Sequence, residues 1–277
     1  MTAASFRTAT LPELSRILDW AADEGWNPGI EDAEAFFAAD PGGFFVADHD
    51  GTPVAAISVV NHSDSFAFLG LYICHPDWRG TGLGFALWTH AIAHAGGRTI
   101  GLDGVPAQQD NYARSGFELA GRTRRLSGSL SREPRRLALA QERDLETVRA
   151  LDRAANGFDR AAFLAAWVAE HPTRKTVLLE TAGRVTGFAT ARLCREVCKI
   201  GPIVAPSDTD AMTLAGQASA ALGQTDISID VPMGQPDFAR MLEARGFQEG
   251  FATARMYRGP APAVDATLKA IATMELG

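Results

Sequence analysis

The chain is poor in cysteine and has no long apolar run. Its 277 residues include three cysteines, Cys74, Cys194 and Cys198. So odd and sparse a set makes no disulfide framework and fits a reducing compartment. Cys194 and Cys198 lie four apart with no second ligand pair nearby. They read as two buried strand thiols, and no metal is expected. No segment reaches the ~18 apolar residues of a membrane span. The opening Met1-Thr-Ala-Ala-Ser-Phe-Arg7 has no apolar core of a signal peptide. The expectations are a cytoplasmic location and no membrane partner. Basic excess is missing as well: Lys+Arg number 26 against Asp+Glu 33, a net charge of −7. That argues against general nucleic-acid binding.

What is present is ordinary for a globular protein, with 46% hydrophobic and 21% charged residues. A prior of about 150 residues per domain suggests two domains. The chain is organised around residues 69–97. An apolar, β-prone run, Leu69 to Cys74, stops at Pro76, which has no N–H for a ladder bond. Then comes Arg79-Gly-Thr-Gly-Leu-Gly84 and a helical pattern through Leu83, Leu87, Trp88 and Ala91, ended by Gly96-Gly97. Gly80, Gly82 and Gly84 let the backbone curl, and the free N–H groups at the helix start converge on one point. A pyrophosphate suits that point, because several donors meet several acceptor oxygens at the positive end of a helix dipole.

Three phosphate loops compete. A Walker loop ends in Gly-Lys-Ser/Thr, and Leu83-Gly84-Phe85 does not. A dinucleotide fingerprint wants a small residue at position 85, which is Phe, although Asp103 lies at the spacing of its acidic partner. The third option fits best. Arg79-x-x-Gly82-x-Gly84 resembles the Arg/Gln-x-x-Gly-x-Gly/Ala loop of the GCN5-related N-acetyltransferase (GNAT) family, where it binds the pyrophosphate of acetyl-coenzyme A. On that resemblance Arg79, Gly80, Thr81, Gly82, Leu83 and Gly84 bind the co-substrate. Another nucleotide and a plain glycine turn stay open as alternatives.

The periodicity supports the resemblance. Residues 6–126 read as strand, two helices, three strands, helix, strand, helix, strand. Thr10 and Glu13 form a capping box for the first helix. His49-Asp50-Gly51 marks a hairpin. This is the element order of a GNAT domain. The resemblance implies that the strands on either side of the glycine loop and its helix splay apart, and that the pantetheine arm lies between them. The fold class expected is α/β (α+β): tandem GNAT folds, each a mixed, mostly antiparallel sheet flanked by helices.

The pattern then restarts near Arg136, a repeat signal. Leu102-Asp103-Gly104-Val105-Pro106 answers Ile229-Asp230-Val231-Pro232, and Ala113 to Phe117 answers Ala244 to Phe247. The domains expected are 1–128, 134–259 and a tail, 260–277, with a helix over 264–275. The second copy has no Arg-x-x-Gly-x-Gly. In its place stands Gly201-Pro-Ile-Val-Ala-Pro-Ser207, whose prolines remove two backbone donors. It is not expected to bind coenzyme A in the usual mode.

Acyl transfer to an amine needs a neutral amine, donors for an oxyanion and a proton for the leaving thiolate. Tyr112 resembles the family's tyrosine before a Gly-Phe pair, and a phenol keeps its proton at neutral pH. Its alternative is a packing role. The second copy has Leu242 or Phe238 there, neither with a hydroxyl. An oxyanion donor and the first pantetheine contacts are expected from the backbone of Ile73 or Cys74. For the base, His75 and Asp103 are candidates, each with a structural alternative, and a water chain would also serve. Asp23 and Glu24 could meet a cationic amine or be ordinary surface acids. Trp26 and Asn27 sit where GNAT domains place the loop covering the acceptor. Arginines between 114 and 136 could meet the 3′-phosphate or simply face solvent. The resemblance thus implies acetyl-CoA as co-substrate and a small-molecule or peptide amine as partner. A non-catalytic acyl-CoA sensor is the rival, and a homodimer is compatible with the sequence.

Overall fold

The computed structural model describes residues 4–277. Residues 1–3, part of the stretch read above as lacking a leader, lie outside it. The elements run β1 (Ser5–Thr8), α1 (Leu11–Asp23), α2 (Asp32–Ala39), β2 (Phe44–His49), β3 (Thr52–Asn61), β4 (Phe66–Cys74), α3 (Leu83–Ile92), β5 (Thr99–Gly104), α4 (Gln109–Arg114) and β6 (Glu118–Ser129). They restart as β7 (Ala138–Leu139), α5 (Leu145–Asn156), α6 (Ala161–Val168), β8 (Arg174–Thr181), β9 (Arg184–Arg192), β10 (Cys198–Val204), α7 (Asp208–Ala221), β11 (Asp226–Pro232), α8 (Pro236–Glu243) and β12 (Gln248–Arg258), with β13 (Leu268–Ala270) after them.

Local signals act as written in the sequence. The Thr10 hydroxyl accepts from Glu13 N–H, and the Glu13 carboxylate accepts from Thr10 N–H at 2.8 Å. That satisfies two donors the first turn leaves over. Arg7 reaches the same carboxylate, and its hydrogen bond holds Glu13 down at about 2. Asp50 and Gly51 take positive φ, as the turn between β2 and β3 needs.

Among the described residues the strands form one continuous sheet, in the order β1-β2-β3-β4-β5-β12-β6-β11-β10-β9-β8-β7. The two units exchange their last strands. β6 of the first unit pairs with β11, and β12 of the second pairs with β5. The exchange is locked twice by the same device. Asp230 on β11 takes a bidentate grip from Arg125 opposite it on β6, at 2.7 and 2.9 Å. Asp103 on β5 takes one from Arg255 opposite it on β12, at 3.0 and 2.5 Å. The matched Asp103 and Asp230 sequences therefore mark the seam between units. α1, α2, α5 and α6 cover one face, with Phe36 of α2 stacked on Trp167 of α6 at 6.2 Å. α3 and α4 lie over the first unit on the other face, and α7 and α8 over the second.

The tail corrects the sequence expectation. No helix forms over 264–275. Leu268–Ala270 is a strand, antiparallel to β10, and residues 268–277 are all buried. Tertiary pairing overrides helical spacing here: β10 offers an open edge that only an extended segment can satisfy.

Candidate active site

β4 and β5 are parallel and pair from Phe66–Thr99 to Leu69–Leu102. Beyond that they part. The separation begins at an irregularity: Leu71 has φ 46°, and Leu71 and Tyr72 together face Ile57 of β3. Such a bulge adds local twist and turns the strand away from its neighbour. Past it, His75 N–H donates to Val54 O at 2.9 Å. Ladder bonds alternate sides along an antiparallel pair, so Ile73 faces Ala56 and Cys74 turns to the open edge. Arg79 Nε finds the Cys74 carbonyl there, at 2.9 Å. Of the two backbone positions expected to meet the thioester, only the Cys74 amide faces the open edge. The Ile73 amide is engaged by β3.

The glycine loop follows. Gly80 and Gly82 have φ of 76° and 85°, and Gly82 caps α3 without a side chain. The first helical bond runs from Ala86 N–H to Gly82 O, 3.1 Å. Among the described residues no protein group accepts from the N–H of Gly82, Gly84 or Phe85, and Leu83 N–H has only the Thr81 hydroxyl, 3.4 Å away. These donors line a cleft of about 510 Å³. Arg79 does not reach into the loop. It folds back to Cys74 and to Glu24, whose carboxylate it meets at 2.5 Å.

Between α3 and α4 runs a groove of about 560 Å³, lined by Phe85, Trp88, Gln108 and Tyr112, with Arg114 at its rim. Tyr72 borders cleft and groove alike, and also a small chamber of about 70 Å³. The chamber lies where β4 and β5 diverge. Trp26, Leu71, Arg125, Phe251 and Met274 wall it.

The predicted side chains divide. Tyr112 borders both groove and chamber, stacked on Trp88 at 5.6 Å. Burial raises its phenol far above the ordinary tyrosine value, and no protein group bonds its hydroxyl among the described residues. Gly104 is required beneath it, since a Cβ there would come within 2.6 Å of the ring. Asp103 borders the chamber, but both its oxygens are taken: Arg255 grips them, and Thr123 and Thr253 donate at 3.2 and 3.1 Å. It is a seam anchor, buried and ion-paired with Arg255, which disfavours it as a base. His75 is half exposed, faces Asp77 at 3.6 Å and borders neither cleft nor chamber. Trp26 walls both. Asn27 does not. Its amide spans to the second unit, accepting from Glu196 N–H and donating to Val197 O. Asp23 is exposed, and Glu24 is engaged by Arg79.

Three residues at the chamber escaped the sequence reading: Tyr72, Arg125 and Glu275. Tyr72 breaks alternation only through the bulge. Arg125 arrives through strand exchange, and Glu275 sits in the segment whose spacing suggests a helix. Cysteine chemistry is disfavoured. Burial raises the thiol of Cys74, and that of Cys198 to about 12, so neither is an activated nucleophile.

Comparison with known proteins agrees. The acetyltransferase (GNAT) family model matches residues 11–117, and an acetyltransferase (GNAT) domain model matches 148–268. The holothin acyltransferase of Pseudoalteromonas sp. is 33% identical over 98% of this chain and 94% of its own. The chain belongs to the GNAT family. A Pyrococcus horikoshii protein described as a candidate acetyltransferase superposes over 100% of this chain and 97% of its own, TM-score 0.82 at 19% identity. A tandem GNAT protein from the clavulanic acid biosynthesis pathway covers 93% and 99%, TM-score 0.59 at 13% identity. The GNAT fold is thus present twice.

The second GNAT unit has filled its own cleft. β10 and β11 pair from Cys198–Ile227 to Ile200–Ile229 and then part, as β4 and β5 do. Into that divergence goes β13, bonded to β10, with Ile271 N–H donating to Asp230 O at 3.0 Å. A Cβ on Gly201 would collide with the Ile271 carbonyl. Where the first unit keeps an open edge, the second closes it with the tail.

Proposed function

We propose that the first GNAT unit is an acyl-CoA-dependent N-acyltransferase, moving acetyl from acetyl-CoA to the primary amine of a small molecule by direct attack in a ternary complex. The observation that carries this reading is the row of unpaired N–H groups at Gly82, Gly84 and Phe85. They face a cleft that continues along the open edge of β4 to the small chamber. The diphosphate sits on the row, the pantetheine follows the edge, and the thioester carbonyl meets Cys74 N–H. That amide stabilises the oxyanion as it forms. Tyr112 offers its proton to the departing thiolate. The three raised or unactivated thiols favour direct transfer over an acyl-cysteine intermediate.

The chamber favours a transferase over a sensor. Its volume holds roughly five water-sized groups by the usual allowance per water, room for an acetyl group and an amine head. A sensor has no need of space beyond the thioester. The relative named for acylating holothin supports a small-molecule acceptor. The test is thiol release from acetyl-CoA and longer acyl-CoAs against an amine panel, with calorimetry of coenzyme A and NAD beside it. Release with some amines, and heat with coenzyme A alone, is expected. Coenzyme A binding without release for any amine would leave the sensor; NAD binding instead would overturn both.

A further inference from the structure

After β13 the tail leaves the second unit and crosses to the first. Glu275 packs on β4 so closely that a Cβ on Gly70 would collide with its backbone oxygen. Thr273 Oγ1 accepts from Glu275 and Leu276 N–H at 3.2 and 2.9 Å, and Leu276 O lies 2.8 Å from His62 Nε2. Arg160 donates to Gly277 O at 2.5 Å. The segment is thus held at both ends.

Between those anchors Glu275 borders the chamber. It is 4% exposed, and its Oε2 has no hydrogen-bond partner. A buried carboxylate oxygen left in that condition costs free energy unless something supplies a donor. The nearby cations do not. Arg125 is committed to Asp230, Trp26 O and the Met274 sulfur; Lys199 donates to Trp26 O; Arg192 donates to Ala272 O through Nη1 and leaves Nε and Nη2 without a hydrogen bond, and none of the three bonds Glu275 Oε2.

We propose that Glu275 is the anchor for the acceptor's amine. The acceptor is then a cationic primary amine on a compact, largely apolar body that fits against Leu71, Phe251 and Met274. The inference rests on the acyltransferase reading above and names its acceptor class. It also gives the second unit a role, because its cleft clamps β13, the strand from which the segment carrying Glu275 emerges.

The test compares the wild-type chain with Glu275→Gln and Glu275→Asp. Readouts are KM and kcat for a turned-over amine, inhibition by that acceptor's hydroxyl isostere, and calorimetry with coenzyme A. A hydrogen bond to a charged group supports a rise in amine KM of about tenfold or more in the Gln variant, with coenzyme A affinity within about twofold. The preference for amine over hydroxyl should vanish, and Asp should restore part of it. If Gln destroys coenzyme A binding through misfolding, Thr273→Ala loosens the segment without altering charge and should raise amine KM alone. An unchanged amine KM and preference in a variant that binds coenzyme A would overturn the anchor and leave the transferase standing. A wild-type protein that binds coenzyme A but acylates no amine would overturn the transferase, and the anchor with it.

Discussion

Residue type offers Tyr112 as an acid and Asp103 and His75 as bases, and their surroundings separate them. Tyr112 keeps a free hydroxyl beside the chamber, Asp103 has both oxygens occupied, and His75 points to solvent. Tyr112→Phe should lower kcat by about 10²-fold, the range of general acid catalysis, with coenzyme A affinity unchanged. Thiol-release kinetics and calorimetry check the two halves. Asp103→Asn should leave the chemistry intact and instead destabilise the chain, because it leaves Arg255 buried without its counter-ion. Breaking such a pair costs about 3–5 kcal/mol, read from denaturant midpoints.

His62 supplies a pH test at the same scale. Burial lowers it to about 4, and its Nε2–H donates to Leu276 O, since a carbonyl can only accept. Between pH 6.5 and 4 the unfolded chain holds a proton that the native chain refuses. Stability therefore falls as pH drops through that window, by about 3 kcal/mol in all. Urea midpoints should be level from about pH 8 to 6.5 and then decline, and His62→Gln should flatten the decline. Glu13, held at about 2, loses its own contribution only below about pH 4.5.

At the scale of elements, the glycine loop and its helix are legible because both signals are local. Positive φ calls for glycine, and a helix start leaves N–H groups over. Gly82 at φ 85° has no neighbour that a Cβ would strike, so Gly82→Ala costs only backbone strain, about 1–2 kcal/mol. Relaxing that strain misaligns the donors. The expected result is coenzyme A affinity weakened about tenfold, by calorimetry, with the far-ultraviolet spectrum unchanged. The open edge of β4 is legible only through the family resemblance. The bulge at Leu71 and Tyr72 that creates it has no glycine or proline of its own to announce it. The tail helix fails for a related reason. Val264, Leu268 and Ile271 share a helical spacing, but the backbone of this segment gains more from β10 and β11 than from its own turn.

For the whole molecule, the repeat marks two units, yet neither unit is closed by its own chain. β5 has β12 as its partner, and β6 lies between β12 and β11. Residues 1–130 expressed alone would expose β5, lose Arg255 from Asp103 and leave β6 without a sheet. No cooperative transition is expected for that segment by circular dichroism, whereas the full chain should unfold in one. Two independent transitions would contradict the interlock.

The sequence by itself determined the element order, the duplication, the glycine loop before α3 and its loss from the second copy. Most of these depend on spacing within a few tens of residues, where backbone geometry acts directly. Tertiary structure alone decided which carboxylate is occupied and which is free, whose strand completes whose sheet, and where the tail goes. Those outcomes set residues far apart in the chain against one another, Asp103 with Arg255 and Gly70 with Glu275. No local preference distinguishes such pairs until the sheet has brought them together.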